Sequence, residues 1–400
     1  MKLRFIFIFI CCSFFSCHVS DEHEDETDSI EMIEEQIEIN DYTESARNFA
    51  DSVLNSLTLE EKIGQTIMPS FYSESDEYTL MVIERMISDY NIGGIVLMKG
   101  DMKSAAKIAE IGASALVPLF ISIDAEWGLA MRLNDAPGFP RNGRIKKDAD
   151  ETLLFDYGRE VADECQDLGI NMVLGPVIDI QGVYRNIIGT RSFGSDPERV
   201  ANLGVAYAKG LESGGVVSVA KHFPGHGSSV TDSHHGIASV NRSISALDTL
   251  DFYPFRQYIN AGLTGVMAGH IRVPSLTPTG ETAVVSYEIL SGLLRDEMGF
   301  NGLILTDAFN MGGAKGFSAA QALKAGADIV LCPGNIKGAI KEIKKQITNG
   351  ELDSLLIEDR CRRILFTKAI FDLWNKEKQE LNPEEFGSNA SAIRDNLYGI

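Results

Sequence analysis

From Asn55 onward, short apolar runs alternate along the chain with amphipathic stretches. Eight of these runs have the length and composition of buried strands. They are Gln65 to Phe71, Ile92 to Met98, Leu119 to Asp124, Asn171 to Ile178, Val216 to His222, Gly265 to His270, Gly302 to Thr306 and Asp328 to Leu331. An alternation of strands with helices predicts a parallel sheet covered by helices.

Several stretches between the runs have the spacing of amphipathic helices. Ser286 is a residue type that caps helices, and the apolar residues after it share one helix face. These residues are Ile289, Leu290, Leu293, Leu294 and Met298. Eight strand–helix pairs over this length predict an α/β fold of the (β/α)8 TIM-like barrel type. A doubly wound open sheet is the alternative that the pattern leaves open.

Polar residues close or directly follow five of the predicted strands. They are Asp124 with Glu126, Asp179, the pair Lys221 and His222, His270, and Asp307. Active sites of such barrels lie at the carboxyl ends of the strands. Polar groups ending five strands would make a poor core, so the sequence predicts one shared site.

The first residues have the pattern of a targeting segment. Lys2 and Arg4 precede an apolar run from Phe5 to Cys12, and a serine stands directly before Cys17. The run is too short to span a bilayer comfortably, and the Ser-Cys pair resembles a bacterial lipoprotein signal. We therefore expect residues 1–17 to be a signal peptide and Cys17 to carry a lipid, the only contact with a membrane. This predicts export, as a periplasmic or outer-membrane lipoprotein; a cleaved soluble product and an uncleaved anchor helix are the alternatives.

The rest of the chain divides into three predicted parts. Residues 18–49 form an acidic tether, because residues 21–40 hold ten acidic residues and no Lys or Arg. Residues 50–375 form the barrel domain, and residues 376–400 are a C-terminal extension too short for a second domain. The formal net charge of −21 repels nucleic acid, so no nucleic-acid partner is expected.

The segment from Lys221 to Gly227, Lys-His-Phe-Pro-Gly-His-Gly, begins as a strand and runs into about twenty residues without clear periodicity. Such a stretch is typical of a binding loop or lid. It holds four of the seven histidines of the chain, which suggests a metal site. Their spacing is not that of HExxH, however, and Lys221 would place a cation beside the metal. We therefore predict no metal and no other cofactor.

Acid–base chemistry is the alternative for this loop. Asp232 stands two residues before His234, and a nearby carboxylate lets an imidazole donate and recover a proton near neutral pH. A solvated loop histidine is the other interpretation. Asp307 follows an apolar strand at a turn marked by glycines, so it is either a nucleophile presented at the barrel mouth or the N-cap of a helix.

Two strand-following loops carry groups that suit a sugar. Asp124, Glu126 and Arg132 could hydrogen-bond neighbouring hydroxyls, and Trp127 offers an apolar face to a pyranose ring. Arg191 places a further basic residue on the next such loop. Surface ion pairs are the other interpretation of both arginines.

Together these segments resemble glycoside hydrolase family 3, in particular its single-domain β-N-acetylglucosaminidase branch, over residues 50–375. Lys-His-Phe-Pro-Gly-His-Gly followed by Asp-x-His is the specific motif. The resemblance implies that Asp307 is the nucleophile, His234 the general acid/base and Asp232 its orienting partner. It also implies a small glycan substrate, whose non-reducing sugar is held by Asp124, Arg132, Arg191, Lys221 and His222.

The activity that the resemblance implies is retaining hydrolysis of terminal β-linked N-acetylhexosamine, from peptidoglycan fragments or chitooligosaccharides. The chain departs from the family pattern at Trp127, where a glycine is usual; the loss of that glycine narrows the backbone freedom there. Phosphorolysis and a catalytically silent sugar-binding lipoprotein are the alternatives. The β-glucosidase branch fits less well, because it usually has Ser-Asp-Trp where this chain has Thr306, Asp307 and Ala308.

Overall fold

The structure is a computed structural model that describes residues 42–182, 187–229, 237–277, 279–375 and 386–400. Each of the eight predicted runs overlaps a strand of the structure, and Pro69 divides the first strand into two. The strands are β1 Ile67–Met68, β2 Ser70–Ser73, β3 Gly94–Gly100, β4 Phe120–Ile123, β5 Met172–Val173, β6 Val217–Phe223, β7 Ala238–Ser239, β8 Gly265–Ala268, β9 Ile271–Arg272, β10 Leu303–Thr306 and β11 Val330–Leu331.

The main sheet closes on itself as a parallel barrel. Seven strands are hydrogen-bonded in the order β10, β8, β6, β5, β4, β3, β2, and β1 pairs with β11. Gly93 donates to the Ile67 carbonyl at 3.1 Å, which joins β1 to the β3 side, and Thr306 donates to the Ile329 carbonyl at 3.0 Å, which joins β11 to β10. The predicted (β/α)8 barrel is therefore confirmed, and the open sheet is excluded because hydrogen bonds join the described strands of the ring on both sides.

Helices cover the outside of the barrel. The α-helices are α1 at 42–56, α2 Leu59–Gln65, α3 Glu77–Tyr90, α4 Met102–Ala113, α5 Glu151–Asp167, α6 Pro197–Ser213, α7 Ile244–Ala246, α8 Phe252–Asn260, α9 Ala319–Ala325, α10 Ile336–Thr348, α11 Ser354–Ile370 and α12 Ala390–Tyr398. π-Helical turns lie at Leu247–Asp251 and Glu288–Glu297. Short 3-10 turns lie at Leu129–Met131, Asn142–Arg144, Gly189–Arg191, Ala283–Val285 and Gly312–Ala314.

Local sequence explains where these helices begin. Thr58 and Glu61 form a reciprocal capping box at α2, and Asp196 caps α6, whose first residue is Pro197. The hydroxyl of Ser286 accepts from the Ile289 N–H at 3.3 Å, as its predicted capping role requires. Ile289, Leu290, Leu293 and Leu294 are buried on the predicted face of that helix.

Two apolar layers fill the molecule. Alternate residues of the strands point into the barrel and pack there, among them Met68, Val96, Phe120, Val219 and Leu305. The other face of the strands packs against the helices in a larger cluster. The barrel is a packed core and not a pore, so a ligand has access only from its ends.

The ends of the barrel domain differ from the prediction. Residues 42–49, placed in the tether, belong to α1, and the Tyr42 hydroxyl donates to the Ile370 carbonyl at 3.1 Å. The domain therefore begins before residue 50. In the C-terminal extension, α12 packs on α5 and the buried Leu397 accepts a hydrogen bond from the Lys146 N–H at 2.9 Å. The predicted signal peptide and Cys17 lie outside the described residues.

Within the described part of the chain, no helix has both the length and the apolar character that crossing a membrane requires.

Candidate active site

The carboxyl ends of three barrel strands present polar side chains on the inner face. Phe120, Val219 and Leu305 face the barrel interior. Because successive side chains of a strand alternate between its faces, Asp124 and Asp307, which continue β4 and β10, and Lys221 within β6 lie above these residues, at the mouth. The structure thus brings together groups that the sequence placed on separate strands.

A chain of ion pairs crosses this mouth. Lys221 Nζ lies 2.7 Å from Asp124 Oδ1 and 2.9 Å from Glu126 Oε1. Arg191 contacts Glu126 through two bonds, Nε at 2.8 Å and Nη2 at 2.7 Å, and Arg132 donates to the second oxygen of Asp124. The side chains of Arg132 and Arg191 are 20% and 19% exposed, so both ion pairs are largely shielded from solvent.

The charges in this chain stabilise one another despite burial. Burial alone would raise the pKa of Glu126, but the charges of Lys221 and Arg191 outweigh burial and hold this pKa below its usual value. Burial would likewise raise the pKa of Asp124, and there the charges of Lys221 and Arg132 lower it below its usual value. Burial would lower the pKa of Lys221, but the two carboxylates raise it. At neutral pH the carboxylates are ionised and the lysine is protonated. The mouth therefore holds fixed donors and acceptors suited to the adjacent hydroxyls of a sugar.

Asp179 holds the turn that begins at His222. Asp179 Oδ2 lies 2.7 Å from His222 Nδ1 and accepts from the His222 backbone N–H at 3.1 Å, while Oδ1 accepts from the His226 N–H at 2.6 Å. Arg191 Nη2 lies 3.4 Å from His222 Nε2. A guanidinium has only N–H donors, so a hydrogen bond at this contact requires Nε2 as acceptor and leaves Nδ1–H to donate to Asp179.

Asp307 directly follows β10 and is half-buried at the mouth. Its N–H donates to the Ala268 carbonyl at 2.8 Å, and its Oδ1 accepts from the Ala308 N–H at 2.8 Å. It is not a helix N-cap, because the next α-helix, α9, is capped by Ser318. Burial lowers the pKa of His226 and His270, and the charge of Asp307 opposes that shift at both. Asp307 therefore interacts electrostatically with both imidazoles.

The predicted acid/base pair, Asp232 and His234, lies outside the described residues. The segment that precedes it is fixed at Gly225, which has a φ of 121°. A Cβ added to Gly225 would lie 2.7 Å from the Cβ of buried Asp251, so only glycine fits. After the undescribed residues, Arg242 Nη1 pairs with Asp251 Oδ2 at 2.9 Å. Asp251 thus contacts both sides of the loop.

Trp127 does not restrict the backbone in the way that the sequence suggested. It has no positive φ, whereas Gly128 has a φ of 82° and a Cβ there would lie 2.4 Å from the ring of Phe139. The conformation that needs glycine is therefore at the position where the chain keeps it. The guanidinium of Arg141 lies 4.5 Å from the centroid of the Trp127 ring.

The sequence places Glu126 and Asp179 among the polar strand ends of the shared site but does not show that each holds other site residues in place. Both had the signal of a polar residue after a strand, but their partners are distant in sequence. The contact between Trp127 and Arg141 had no such signal. Among the described residues there is no group of three or more His, Cys, Asp or Glu side chains that could hold a metal ion.

Comparison with known proteins adds a family and a fold. Residues 58–367 match the Glycosyl hydrolase family 3 N terminal domain. The chain is 33% identical to beta-hexosaminidase A of Pseudoalteromonas piscicida over 282 residues, which cover 63% of this chain and 47% of that protein. It is 34% identical to beta-hexosaminidase of Nitrosomonas eutropha over 258 residues, which cover 60% of this chain and 73% of that protein.

A solved structure is similar over most of the chain. This structure, of a glycoside hydrolase family 3 beta-N-acetylglucosaminidase from Paenibacillus sp. str. FPU-7, superposes with a TM-score of 0.78 at 30% identity. The alignment covers 85% of this chain and 69% of that one. The chain thus spans less than half of beta-hexosaminidase A and about two thirds of the solved Paenibacillus structure.

Proposed function

This chain belongs to glycosyl hydrolase family 3, and we propose that it removes terminal β-linked N-acetylhexosamine from peptidoglycan fragments or chitooligosaccharides. The observation that carries the proposal is the placement of Asp307 at the same barrel mouth as the buried chain of Asp124, Lys221, Glu126 and Arg191. A carboxylate nucleophile beside fixed donors and acceptors is what a glycosidase needs to hold and attack one sugar. The names of the relatives support N-acetylhexosamine as that sugar.

The proposed reaction has two displacements. Asp307 attacks the anomeric carbon while His234, oriented by Asp232, protonates the departing oxygen. A water molecule, deprotonated by His234, then releases the sugar from Asp307 and restores the enzyme. Asp124, Arg132, Arg191, Lys221 and His222 hold the non-reducing sugar during both steps. Two inversions at one carbon give net retention of the β configuration.

Hydrolysis of 4-nitrophenyl N-acetyl-β-glucosaminide tests the proposal. Asp307→Ala should abolish turnover, and Asp296→Asn, which removes one exposed aspartate charge from the preceding helix, should leave it unchanged. Rapid quenching followed by mass spectrometry should find one N-acetylhexosamine on the peptide that contains Asp307. Full activity of Asp307→Ala would refute the nucleophile assignment.

The role of His234 has its own measurement. His234→Ala should slow substrates with poor leaving groups far more than 4-nitrophenyl substrates, because a good leaving group needs little protonation. An equal loss for both would remove His234 from the acid/base role. Product analysis with added phosphate separates the two enzymatic alternatives, since sugar 1-phosphate in place of free sugar would make the enzyme a phosphorylase.

We also propose that the protein is exported and carries a lipid on Cys17. Lys2, Arg4 and the apolar run before Cys17 support this placement. Metabolic labelling with palmitate should mark the full-length protein and not its Cys17→Ala variant. Equal absence of label from both proteins would refute the lipid anchor.

A further inference from the structure

A cation at the rim of the mouth has no acidic partner in the part of the chain that the structure describes. Arg141 is exposed, and its side chain makes no hydrogen bond or ion pair with any residue that the structure describes. Its guanidinium is nevertheless held in place, 4.5 Å from the centroid of Trp127, within the range of a cation–π contact. An arginine without a carboxylate partner among the described residues is free to bind an external anion.

The topology places this arginine beside the site. Trp127 and Arg141 lie on the loop from β4 to α5, which leaves the carboxyl end of the barrel. Trp127 directly follows Glu126, the carboxylate shared by Lys221 and Arg191. Asn142, the residue after Arg141, donates to the Arg191 carbonyl at 2.7 Å. Arg141 is therefore connected on two sides to the residues of the ion-pair chain.

We propose that Arg141, held against Trp127, binds a carboxylate on the leaving group of the substrate. The inference rests on the proposed function, since the buried ion-pair chain is assigned to the terminal sugar and only the rest of the substrate projects to the exposed rim. A guanidinium presents paired N–H donors that match the two oxygens of a carboxylate. Chitooligosaccharides are neutral, whereas the next sugar of a peptidoglycan fragment carries either a free lactyl carboxylate or, where an amide joins that group to the peptide, the carboxylates of the peptide.

Matched substrates test this assignment. The value of kcat/KM would be compared for three substrates that share a terminal N-acetylglucosamine. In the first this sugar is linked to N-acetylglucosamine, in the second to N-acetylmuramic acid, and in the third to N-acetylmuramic acid that carries its peptide. Arg141→Ala should lower kcat/KM about 10-fold on an acidic substrate and leave the neutral one unchanged, as expected for one charge-assisted bidentate contact. Loss with the peptide-free acidic disaccharide identifies the lactyl carboxylate, and loss only with the peptide-bearing substrate identifies a peptide carboxylate.

Two further variants separate geometry from charge. Arg144→Ala removes an exposed arginine from the same turn and should retain the wild-type preference for the acidic substrates. Arg141→Lys keeps the charge without the planar donors and should recover only part of the preference. An equal loss on neutral and acidic substrates, or no loss on either acidic substrate, would overturn the proposal.

A binding measurement is independent of turnover. In the Asp307→Ala background, calorimetry should show about 10-fold weaker binding of an acidic substrate when Arg141 is also replaced by alanine. Equal affinities, or no binding, would overturn the role of Arg141. Absence of hydrolysis by the wild-type enzyme with all three substrates would instead refute the proposed function, so the two failures are distinguishable.

Discussion

Asp179 holds His222 through a single oxygen: Oδ2 accepts from the His222 backbone N–H at 3.1 Å and lies 2.7 Å from its Nδ1. The other oxygen accepts from the His226 N–H at 2.6 Å. Burial would raise the pKa of Asp179, but its electrostatic interaction with His222 and the hydrogen bonds that it accepts from His222 and His226 keep that pKa below its usual value. One ionised carboxylate therefore fixes the position of His222, the histidine that we propose binds the sugar, and the turn after it.

Asp179→Asn should weaken both the fold and the site. An amide N–H2 would face one of the donors that Asp179 now accepts from, and the lost charge-assisted bonds should cost about 3 kcal/mol of unfolding free energy at pH 7. Misplacement of His222 should lower kcat/KM about 10-fold or more. Urea unfolding and steady-state kinetics measure the two effects. The control is Asp148→Asn, at an exposed position, and an equal urea midpoint for both variants would contradict the prediction.

Lys221→Met should be destabilising in a way that depends on pH. The lysine separates Asp124 from Glu126, and its removal leaves two buried carboxylates short of a cation, at a cost of about 3 to 5 kcal/mol at pH 7.5. The two carboxyl groups have lowered pKa values in the wild-type protein, so the stability they contribute is present at neutral pH and is lost only in acid.

In the Lys221→Met variant the pKa values of Asp124 and Glu126 should both rise, because the lysine charge no longer opposes their desolvation and their mutual repulsion. Protonation then relieves the repulsion, and the destabilisation should be smaller at pH 5 than at pH 7.5. Urea unfolding at the two pH values measures the change. Lys221→Met combined with Glu126→Gln should recover part of the loss at pH 7.5, and a double variant less stable than the single one would contradict this account.

The sequence predicted the strands well because a barrel strand is buried on both faces. Such a strand reads as a continuous apolar run, and each predicted run contains a strand of the structure. Strand ends were less accurate. The run from Asn171 to Ile178 contains only β5, Met172–Val173, as its regular strand, because Gly175 and Pro176 interrupt it and proline has no N–H for the ladder.

Pairings within the site could not be read from the sequence. Asp124 and Lys221 are 97 positions apart, and Glu126 and Arg191 are 65 apart. Such contacts exist only because the barrel closes and brings separate strand ends to one face. The sequence identifies the polar strand ends but not the partner of each residue. For this reason surface ion pairs remained a second interpretation of Arg132 and Arg191. The roles of Asp232 and His234 stay predictions.

Lys368 makes the stability of the barrel depend on pH far from the mouth. Its side chain is fully buried, with Nζ 2.7 Å from Gln65 Oε1 and 5.1 Å from the centroid of Phe120. Burial lowers its pKa to about 7. The unfolded lysine keeps a pKa of about 10.4, so between pH 7 and 10 the unfolded state binds more protons and stability should rise with pH.

Lys368→Met removes this dependence. Burial of Lys368 should lower the unfolding free energy of the wild-type protein by about 4 kcal/mol at pH 6. At pH 9 this cost should be smaller by roughly 2 to 3 kcal/mol. The stability gained by the methionine variant should therefore be larger at pH 6 than at pH 9. Urea unfolding of both proteins across this range isolates the lysine, because every other titrating group is shared. A difference that does not vary with pH would show that Lys368 is not deprotonated on folding.

Glu164 should make the stability of the protein fall as pH rises, which is the opposite of the trend expected for Lys368. Its carboxyl group is buried on α5, and neither oxygen has a hydrogen-bond partner among the residues that the structure describes. Burial raises its pKa to about 9, with Glu160 and Asp167 adding to the shift. The unfolded group has a pKa of about 4.3, so its contribution to stability is full below pH 4 and is lost as pH rises toward 9.

Glu164→Gln should therefore stabilise the protein most at high pH. The gain over wild type should be larger at pH 7.5 than at pH 5 by about 3 kcal/mol, because only the wild-type chain must take up a proton to fold. Asp156→Asn removes a charge from an exposed position of the same helix and should show no such trend. Urea midpoints for the three proteins at the two pH values measure the effect. A glutamine variant that is less stable than wild type at pH 7.5 would mean that the carboxyl group has a partner on folding that the amide cannot replace.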